Sequence, residues 1–170
     1  MIDNLYEKAA QIHGHKCPGL AIGVRAAAEA IRMLGIENIH SHSLYCIAEN
    51  RACYIDGIQT VFGTTLGNGN LEIRPRGKTA FNFYDREAGK RLRLIARDLP
   101  EGLTRPEMIA FILTSSFEQV FALTPVHFEA PEDRVARKAV SKCARCGENC
   151  SEPFLRMKDG EILCLDCAED

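Results

Sequence analysis

The chain has 170 residues and a mass of 18.9 kDa, is 46% hydrophobic and 26% charged, carries a formal net charge of −2, and contains eight Cys and no Trp. That length sustains one medium domain with a small satellite and buries a sizeable core without disulfide staples, which excludes general disorder. No apolar run reaches the roughly 18 residues of a membrane span, and Met1-Ile2-Asp3-Asn4 lacks the basic and then apolar character of a secretory signal, so a cytoplasmic protein with no membrane association is expected. In a reducing compartment, eight Cys point to metal ligands or reactive thiols rather than to a disulfide framework.

In chain order, Asp3 is placed to cap a short helix through Ile12, and the chain breaks at His13-Gly14-His15-Lys16-Cys17-Pro18-Gly19. Leu20, Val24, Ala27, Ala28, Ile31 and Leu34 then recur at helical spacing up to Gly35, which suits a C-terminal cap. Ser43 to Ala48 reads as a strand and Cys53 to Phe62 as a helix. Thr64-Thr65-Leu66-Gly67-Asn68-Gly69-Asn70 reads as a glycine-rich turn leading to strands near Leu71 to Arg74 and Thr79 to Tyr84. Asp85 is read as the cap of a helix through Ala96. Thr104 with Glu107 forms a capping box that opens a helix with a core stripe of Ile109, Ile112, Leu113, Phe117, Val120 and Phe121, and Val126 to Phe128 closes the core as a strand. Because strands and helices do not alternate regularly, an α+β fold with a mixed helix and antiparallel-sheet core is expected rather than a doubly wound parallel sheet.

Cysteine usage divides the chain. Cys17, Cys46 and Cys53 lie in the first third, whereas Cys143, Cys146, Cys150, Cys164 and Cys167 crowd the end. The charged, aromatic-free stretch after Glu129 reads as a linker, giving a core over 1–130, a linker over 131–142 and a small module over 143–170. In that module, Cys143-Ala-Arg-Cys146 and Cys164-Leu-Asp-Cys167 are two C-x-x-C pairs separated by 17 residues, the spacing of a four-thiolate zinc site. Each pair offers two sulfurs from one turn, Gly147 suits a knuckle, and Asp159-Gly160 signals a hairpin, so a treble-clef or ribbon zinc finger is expected. Four thiolates leave no open position, so the zinc is structural, and a segment this polar depends on the metal to fold. Arg134, Arg137, Lys138, Lys142 and Arg145 form a short basic stretch, but the tail is net acidic and lacks stacking aromatics. Nucleic acid is therefore disfavoured against protein contact, either dimer stabilisation or partner docking.

In the core, two imidazoles and a thiol fall within five residues, and Pro18 places Cys17 at a helix N-terminus, where the dipole favours thiolate. Cys53, Asp56 and Gln59 lie at i, i+3 and i+6, so Cys53 and Asp56 share a helix face and Gln59 extends that row obliquely. Cys46, in an apolar strand, reads as a buried small hydrophobe, and Cys150 as a free thiol beside the finger. His40 and His42 read as members of a solvated loop, and His127 has no fixed place.

His-Gly-His-x-Cys-Pro-Gly-Leu-Ala-x-Gly-x-Arg at 13 to 25, Cys53-x-x-Asp56-x-Ile-Gln59, Gly63-Thr-Thr-Leu-Gly-Asn-Gly-Asn-Leu71, Gly77-Lys78 and the terminal four-cysteine finger together resemble the FmdE-like family, named for a component of formylmethanofuran dehydrogenase. The resemblance implies an α+β core, a homodimer with the residue cluster in a cleft, and a protein partner in a molybdenum or tungsten enzyme complex. Its cluster maps onto His15, Cys17, Cys53 and Asp56, with His13, Arg25, Gln59 and Lys78 as supports and cofactor contacts. The family's turn commonly reads Gly-Cys-Thr-Leu-Gly-Lys-Gly-Asn, and this chain has Thr64 and Asn68 in place of that Cys and Lys. His15, Cys17 and Cys53 then make a His-Cys-Cys set with an open coordination position for a second metal, with Asp56 orienting a ligand or acting as base. The competing readings are a thiol redox enzyme using Cys17 and Cys53 and a non-catalytic accessory protein of a larger enzyme; the residues do not by themselves decide whether the chain is an enzyme.

Overall fold

The computed structural model describes residues 2–131 and 139–169. The chain divides into two compact units, residues 1–132 and 133–170, each described by itself. The expected linker 131–142 falls largely on residues 132–138, which lie outside the described residues, and its last three residues belong to a strand of the second unit.

The first unit runs α1 (Ile2–His13), α2 (Pro18–Leu34), β1 (Leu44–Ala48), α3 (Tyr54–Phe62), β2 (Leu71–Ile73), β3 (Ala80–Asp85), β4 (Lys90–Ala96), α4 (Arg105–Thr114), α5 (Phe117–Val120) and β5 (Phe121–Thr124). The five strands form one sheet in the order β2-β1-β3-β4-β5. β1 and β2 are parallel, joined by the crossover helix α3, and the other neighbours are antiparallel. The fold is therefore α+β with a mixed sheet, as the irregular order of elements implies.

All five residues of β1 are buried because both sheet faces are covered. Side chains alternate along a strand, so Leu44, Cys46 and Ala48 face the helical layer, whereas Tyr45 and Ile47 pack with Tyr84 under Val126, Phe128 and Ala130. The segment expected to close the core as a strand at Val126 to Phe128 is thus a non-strand strap. The edge strand at this end of the sheet is β5, just before it in the chain, and the Tyr84 hydroxyl donates to the Phe128 carbonyl at 2.7 Å to hold the strap.

The second correction concerns Asp85 to Ala96, which is not a helix. Leu92 and Leu94 alternate with Arg91, Arg93 and Ile95, the two-residue period of a strand. Gly89, at φ +64°, closes the β3–β4 hairpin, which pairs Asp85 with Lys90. Asp85 caps the turn instead, accepting from the Ala88 N–H at 3.2 Å. Thirdly, the helix opened by Thr104 stops at Thr114. The capping box forms, with Thr104 N–H donating to Glu107 at 2.8 Å, but Ser115 and Ser116 are extended. Ser116 then starts the one-turn α5 with its own N–H donating to Gln119 at 3.0 Å, a second capping box that outweighs the apolar periodicity.

Two polar contacts fix the layers. Arg25 on α2 donates to the carbonyls of Leu113 at 2.8 Å and Ser115 at 3.0 Å, so a cation satisfies the orphan carbonyls ending α4. On the opposite sheet face, Arg93 and Glu49 form a two-pronged pair, Nε to Oε1 at 2.6 Å and Nη2 to Oε2 at 2.8 Å, with both side chains almost fully buried. Burial alone would raise the Glu49 pKa, but hydrogen bonds from Arg93 and Asn82 and the charges of Arg93 and Lys78 bring it below its ordinary value of 4.5.

α2 and α3 meet backbone to backbone. A Cβ on Gly23 would lie 2.0 Å from the Tyr54 carbonyl oxygen, and one on Gly57 would lie 2.8 Å from the Leu20 carbonyl oxygen and 2.6 Å from the Val24 nitrogen. Gly23→Ala is expected to cost about 2–3 kcal/mol in denaturant unfolding, whereas Gly67→Ala, with open space around its Cβ, should change stability by less than about 0.5 kcal/mol. Equal losses for both would refute the close crossing.

A depressed Glu49 pKa means that the pair's contribution is complete above the unfolded carboxylate value and is lost as pH falls through the lower folded one. Glu49→Gln should therefore cost about 3 kcal/mol at pH 7. It should also flatten the decline of thermal stability below pH 4.5; an unchanged acid profile would show that Glu49 titrates as it does in the unfolded chain.

Candidate metal centres

The core site is built where three helix ends converge. α1 ends at His13, Gly14 at φ +89° reverses the chain, and Cys17 becomes the N-cap of α2, its sulfur accepting from the Leu20 N–H at 3.3 Å with Pro18 in the first turn. The Tyr6 hydroxyl donates to the Cys17 carbonyl at 3.1 Å and fixes the cap from α1. Cys53 precedes α3, and the α2–α3 contact brings it to Cys17. Gly19 admits it, since a Cβ there would stand 3.3 Å from the Cys53 Cβ.

His13, His15, Cys17 and Cys53 thereby place one donor atom each within 4.8 Å of all the others. Of the residues expected here, His15, Cys17 and Cys53 do converge. His13, expected as a support, stands among the donors, so the set is two nitrogens and two sulfurs rather than His-Cys-Cys. Its Nδ1 lies 2.6 Å from Asp56 Oδ2, while its Nε2 lies 3.9 Å from the Cys17 sulfur. A carboxylate on the far nitrogen of a donor imidazole fixes its tautomer and ring plane. Gln59 extends the chain, donating to Asp56 Oδ1 at 3.4 Å and accepting the Leu66 N–H at 3.2 Å, which ties the glycine-rich turn to the cluster.

The remaining candidates lie apart from the donor set. Arg25 is occupied by Glu29 and the α4 carbonyls, and Lys78 is exposed, its charge felt at Glu49. Thr64, where the family commonly has Cys, is fully buried, and its hydroxyl has no hydrogen-bond partner among the described residues. His40, His42 and His127 lie outside the cluster. Cys46 is fully buried, and burial pushes its thiol far up from the ordinary value. Burial also raises the Cys53 thiol, and the adjacent Cys17 thiol adds to the shift. A cation among the donors would reverse that sign by stabilising thiolate.

The second unit runs β6 (Val140–Lys142), β7 (Asn149–Ser151), a 3-10 turn (Glu152–Phe154), β8 (Leu155–Lys158), β9 (Glu161–Cys164) and α6 (Leu165–Glu169), as two hairpins and a short helix. Asp159 and Gly160, at φ 53° and 83°, make the turn between β8 and β9 that their sequence announces. The sulfurs of Cys143, Cys146, Cys164 and Cys167 all lie within 4.8 Å of one another, and Gly147 N–H closes the first turn on the Cys143 carbonyl at 3.0 Å. Backbone N–H groups of Cys146, Cys164 and Arg145 bring the Cys143 thiol down to about 6, while the Cys164 thiol and burial push Cys167 up to about 12. Cys150 stands outside this set, its thiol directed at the Ser151 and Phe154 carbonyls. The only buried apolar residues of this unit among those described are Cys143, Leu163 and Cys164.

Comparison with known proteins agrees with this architecture. A protein of Syntrophus aciditrophicus described as tungsten formylmethanofuran dehydrogenase FmdE-like has a crystal structure that superposes with a TM-score of 0.67, at 22% identity, over 98% of this chain and 91% of that one. A probable S-adenosyl-L-methionine-binding protein of Archaeoglobus fulgidus is 29% identical over 98% of this chain, which spans about half (53%) of that relative's length. Among the described residues, no helix is long and apolar enough to cross a membrane. The family described as "FmdE, Molybdenum formylmethanofuran dehydrogenase operon" matches residues 12–144, from the residue before His13 to just past the first finger cysteine, and the chain accordingly belongs to it.

Proposed function

We propose that this protein is a cytoplasmic two-site metal protein, with zinc held by Cys143, Cys146, Cys164 and Cys167 as a structural element and a second divalent ion held by His13, His15, Cys17 and Cys53. The observation that carries the reading is the convergence of two imidazoles and two thiols within 4.8 Å, at the converging ends of three helices. Two nitrogens and two sulfurs suit zinc among the common divalent ions. At the four-cysteine site, four converging sulfurs in a unit whose buried apolar residues, among those described, are Cys143, Leu163 and Cys164 suit a module that folds on its metal.

The core site carries the chemistry. His13 is held by Asp56, and Cys17 by the Leu20 N–H, whereas His15 is exposed and, among the described residues, its ring meets that of His13 alone, at 4.3 Å. His15 is thus the donor able to yield a position to a substrate or small-molecule ligand. The Archaeoglobus relative, of whose length this chain spans about half, is described as a probable S-adenosyl-L-methionine-binding protein, which favours a small-molecule ligand. A redox pair of Cys17 and Cys53, with His15 tuning the thiolate, is less well supported, because it calls on one imidazole and two thiols whereas four donor atoms converge here. The four-cysteine module, on this reading, contacts protein, either a second copy of the chain in a homodimer or a partner in a molybdenum or tungsten enzyme complex.

Purified wild-type protein is expected to hold two metal ions per chain, and Cys17→Ser with Cys53→Ser to hold one; a single ion in both would remove the core site. Asp56→Asn should weaken the core ion about 10–100-fold in competition with a chromophoric chelator while leaving the ion of the four-cysteine module in place. Stripping both ions with excess chelator should unfold residues 139–169, seen as loss of amide-exchange protection there, with protection retained in α2, α3 and the sheet.

A further inference from the structure

A cavity of about 560 Å³ opens between the start of α3 and the edge strand β2, with walls that include Arg51, Ile55, Asp56, Leu66, Glu72 and Ile73. Its position is not incidental to the core site, because Asp56 lines it and also holds His13. Its charge is also uneven. Both carboxylates are committed: Glu72 accepts from Arg74 at 2.6 Å and from the Tyr45 hydroxyl at 3.0 Å, and Asp56 is shared by His13 and Gln59. Arg51 lines the same space, and its guanidinium has no ion-pair or hydrogen-bond partner among the described residues. Leu66 adds an apolar wall for which the fold has no use. It is 52% exposed at the tip of a turn whose backbone is already held by Gln59 and by Asn70.

We propose that this cavity is the small-molecule site of the protein and that it takes a monocarboxylate with an apolar body, the carboxylate on Arg51 and the body against Ile55, Leu66 and Ile73. The inference deepens the metal-site reading and rests on it for placement alone. One guanidinium with two planar donor edges matches a single carboxylate, while a phosphoryl dianion calls for more positive charge than these walls supply. The volume and the apolar lining are those of a site for a compact organic ligand rather than for an ion. A ligand seated there would press on Leu66, whose N–H is linked through Gln59 and Asp56 to His13, so occupancy and the donor set are mechanically connected.

The test uses the full-length, metal-assayed protein and three probes, acetate, hexanoate and hexanamide, titrated by calorimetry. Hexanoate should bind about tenfold or more tightly than either of the others, since acetate lacks the body and hexanamide lacks the charge. Arg51→Ala should erase the preference of hexanoate over hexanamide, and Leu66→Ser should weaken both six-carbon probes, with both variants keeping wild-type metal content. Hexanoate binding no tighter than hexanamide, or binding untouched by Arg51→Ala, would overturn the proposal while the metal content stands. Selective hexanoate binding by protein without a core ion would uphold the carboxylate site and refute the metal reading instead.

Discussion

The contact of α2 with α3 at the level of their backbones is the constraint on which the rest of the core depends. Packed helices ordinarily keep their axes about 8–10 Å apart, a distance set by the side chains between them. Gly23 against the Tyr54 carbonyl and Gly57 against the Leu20 carbonyl remove those side chains. Because Cys17 and Cys53 sit just before the first residues of these two helices, the separation of the helices determines the separation of the sulfurs. A methyl group at either glycine would push apart two sulfurs of the donor set. The glycines of the motif are therefore part of the site in the same sense as the cysteines, although none carries a reactive atom.

A site of this kind is only as well defined as the elements that carry it, and these are restrained from several directions. α3 is the crossover between β1 and β2, so its position follows from the register of the parallel pair, Cys46 opposite Leu71. α2 is held at its far side by Arg25 on the carbonyls ending α4. The sheet is held on its other face by Glu49 and Arg93, a buried pair whose partners come from the end of β1 and from β4. Desolvating two charges offsets much of their attraction, so the pair adds little net stability over an apolar equivalent. Its two-pronged geometry is met only when the strands stand in this register, whereas a slip of one residue would leave both charges buried and alone.

The sequence made elements legible where one signal dominated: the Pro18 start and Gly35 stop of α2, the Thr104–Glu107 box of α4, and the Asp159-Gly160 hairpin. It misled where two signals competed. Asp85 reads as a helix cap for the stretch to Ala96, but the two-residue alternation around Leu92 and Leu94 and the turn at Gly89 belong to a hairpin whose partner strand makes it stable. Ser115-Ser116 interrupts a stripe that periodicity ran straight through. At the site, the donor types were visible in His13 to Cys17 and in Cys53 because ligand chemistry is local. That His13 lies within reach of the other donors, and that Arg25 is engaged by the carbonyls ending α4, follows from the turn at Gly14 and from the end of α4, which lies 88 residues on at Leu113. The Glu49–Arg93 pair spans 44 residues and carries no local signal at all.

The two thiol clusters differ in what holds them together, and that difference separates their roles. In the first unit the donors are brought to one point by contacts that exist without an ion: the glycine crossing, the Cys17 cap, and the Asp56 hydrogen bond on His13. A preformed site loses little conformational entropy on binding and retains its geometry when a donor leaves, the property that permits exchange of a ligand. In the second unit the buried apolar residues among those described are Cys143, Leu163 and Cys164, so under the proposed zinc reading the gathering of four thiols is driven by metal–ligand bonds. On that reading, an ion there could not give up a donor without loosening the module around it. The same residue type thus serves two ends in one chain, and the distinguishing feature is the packing behind each cysteine rather than the spacing between them.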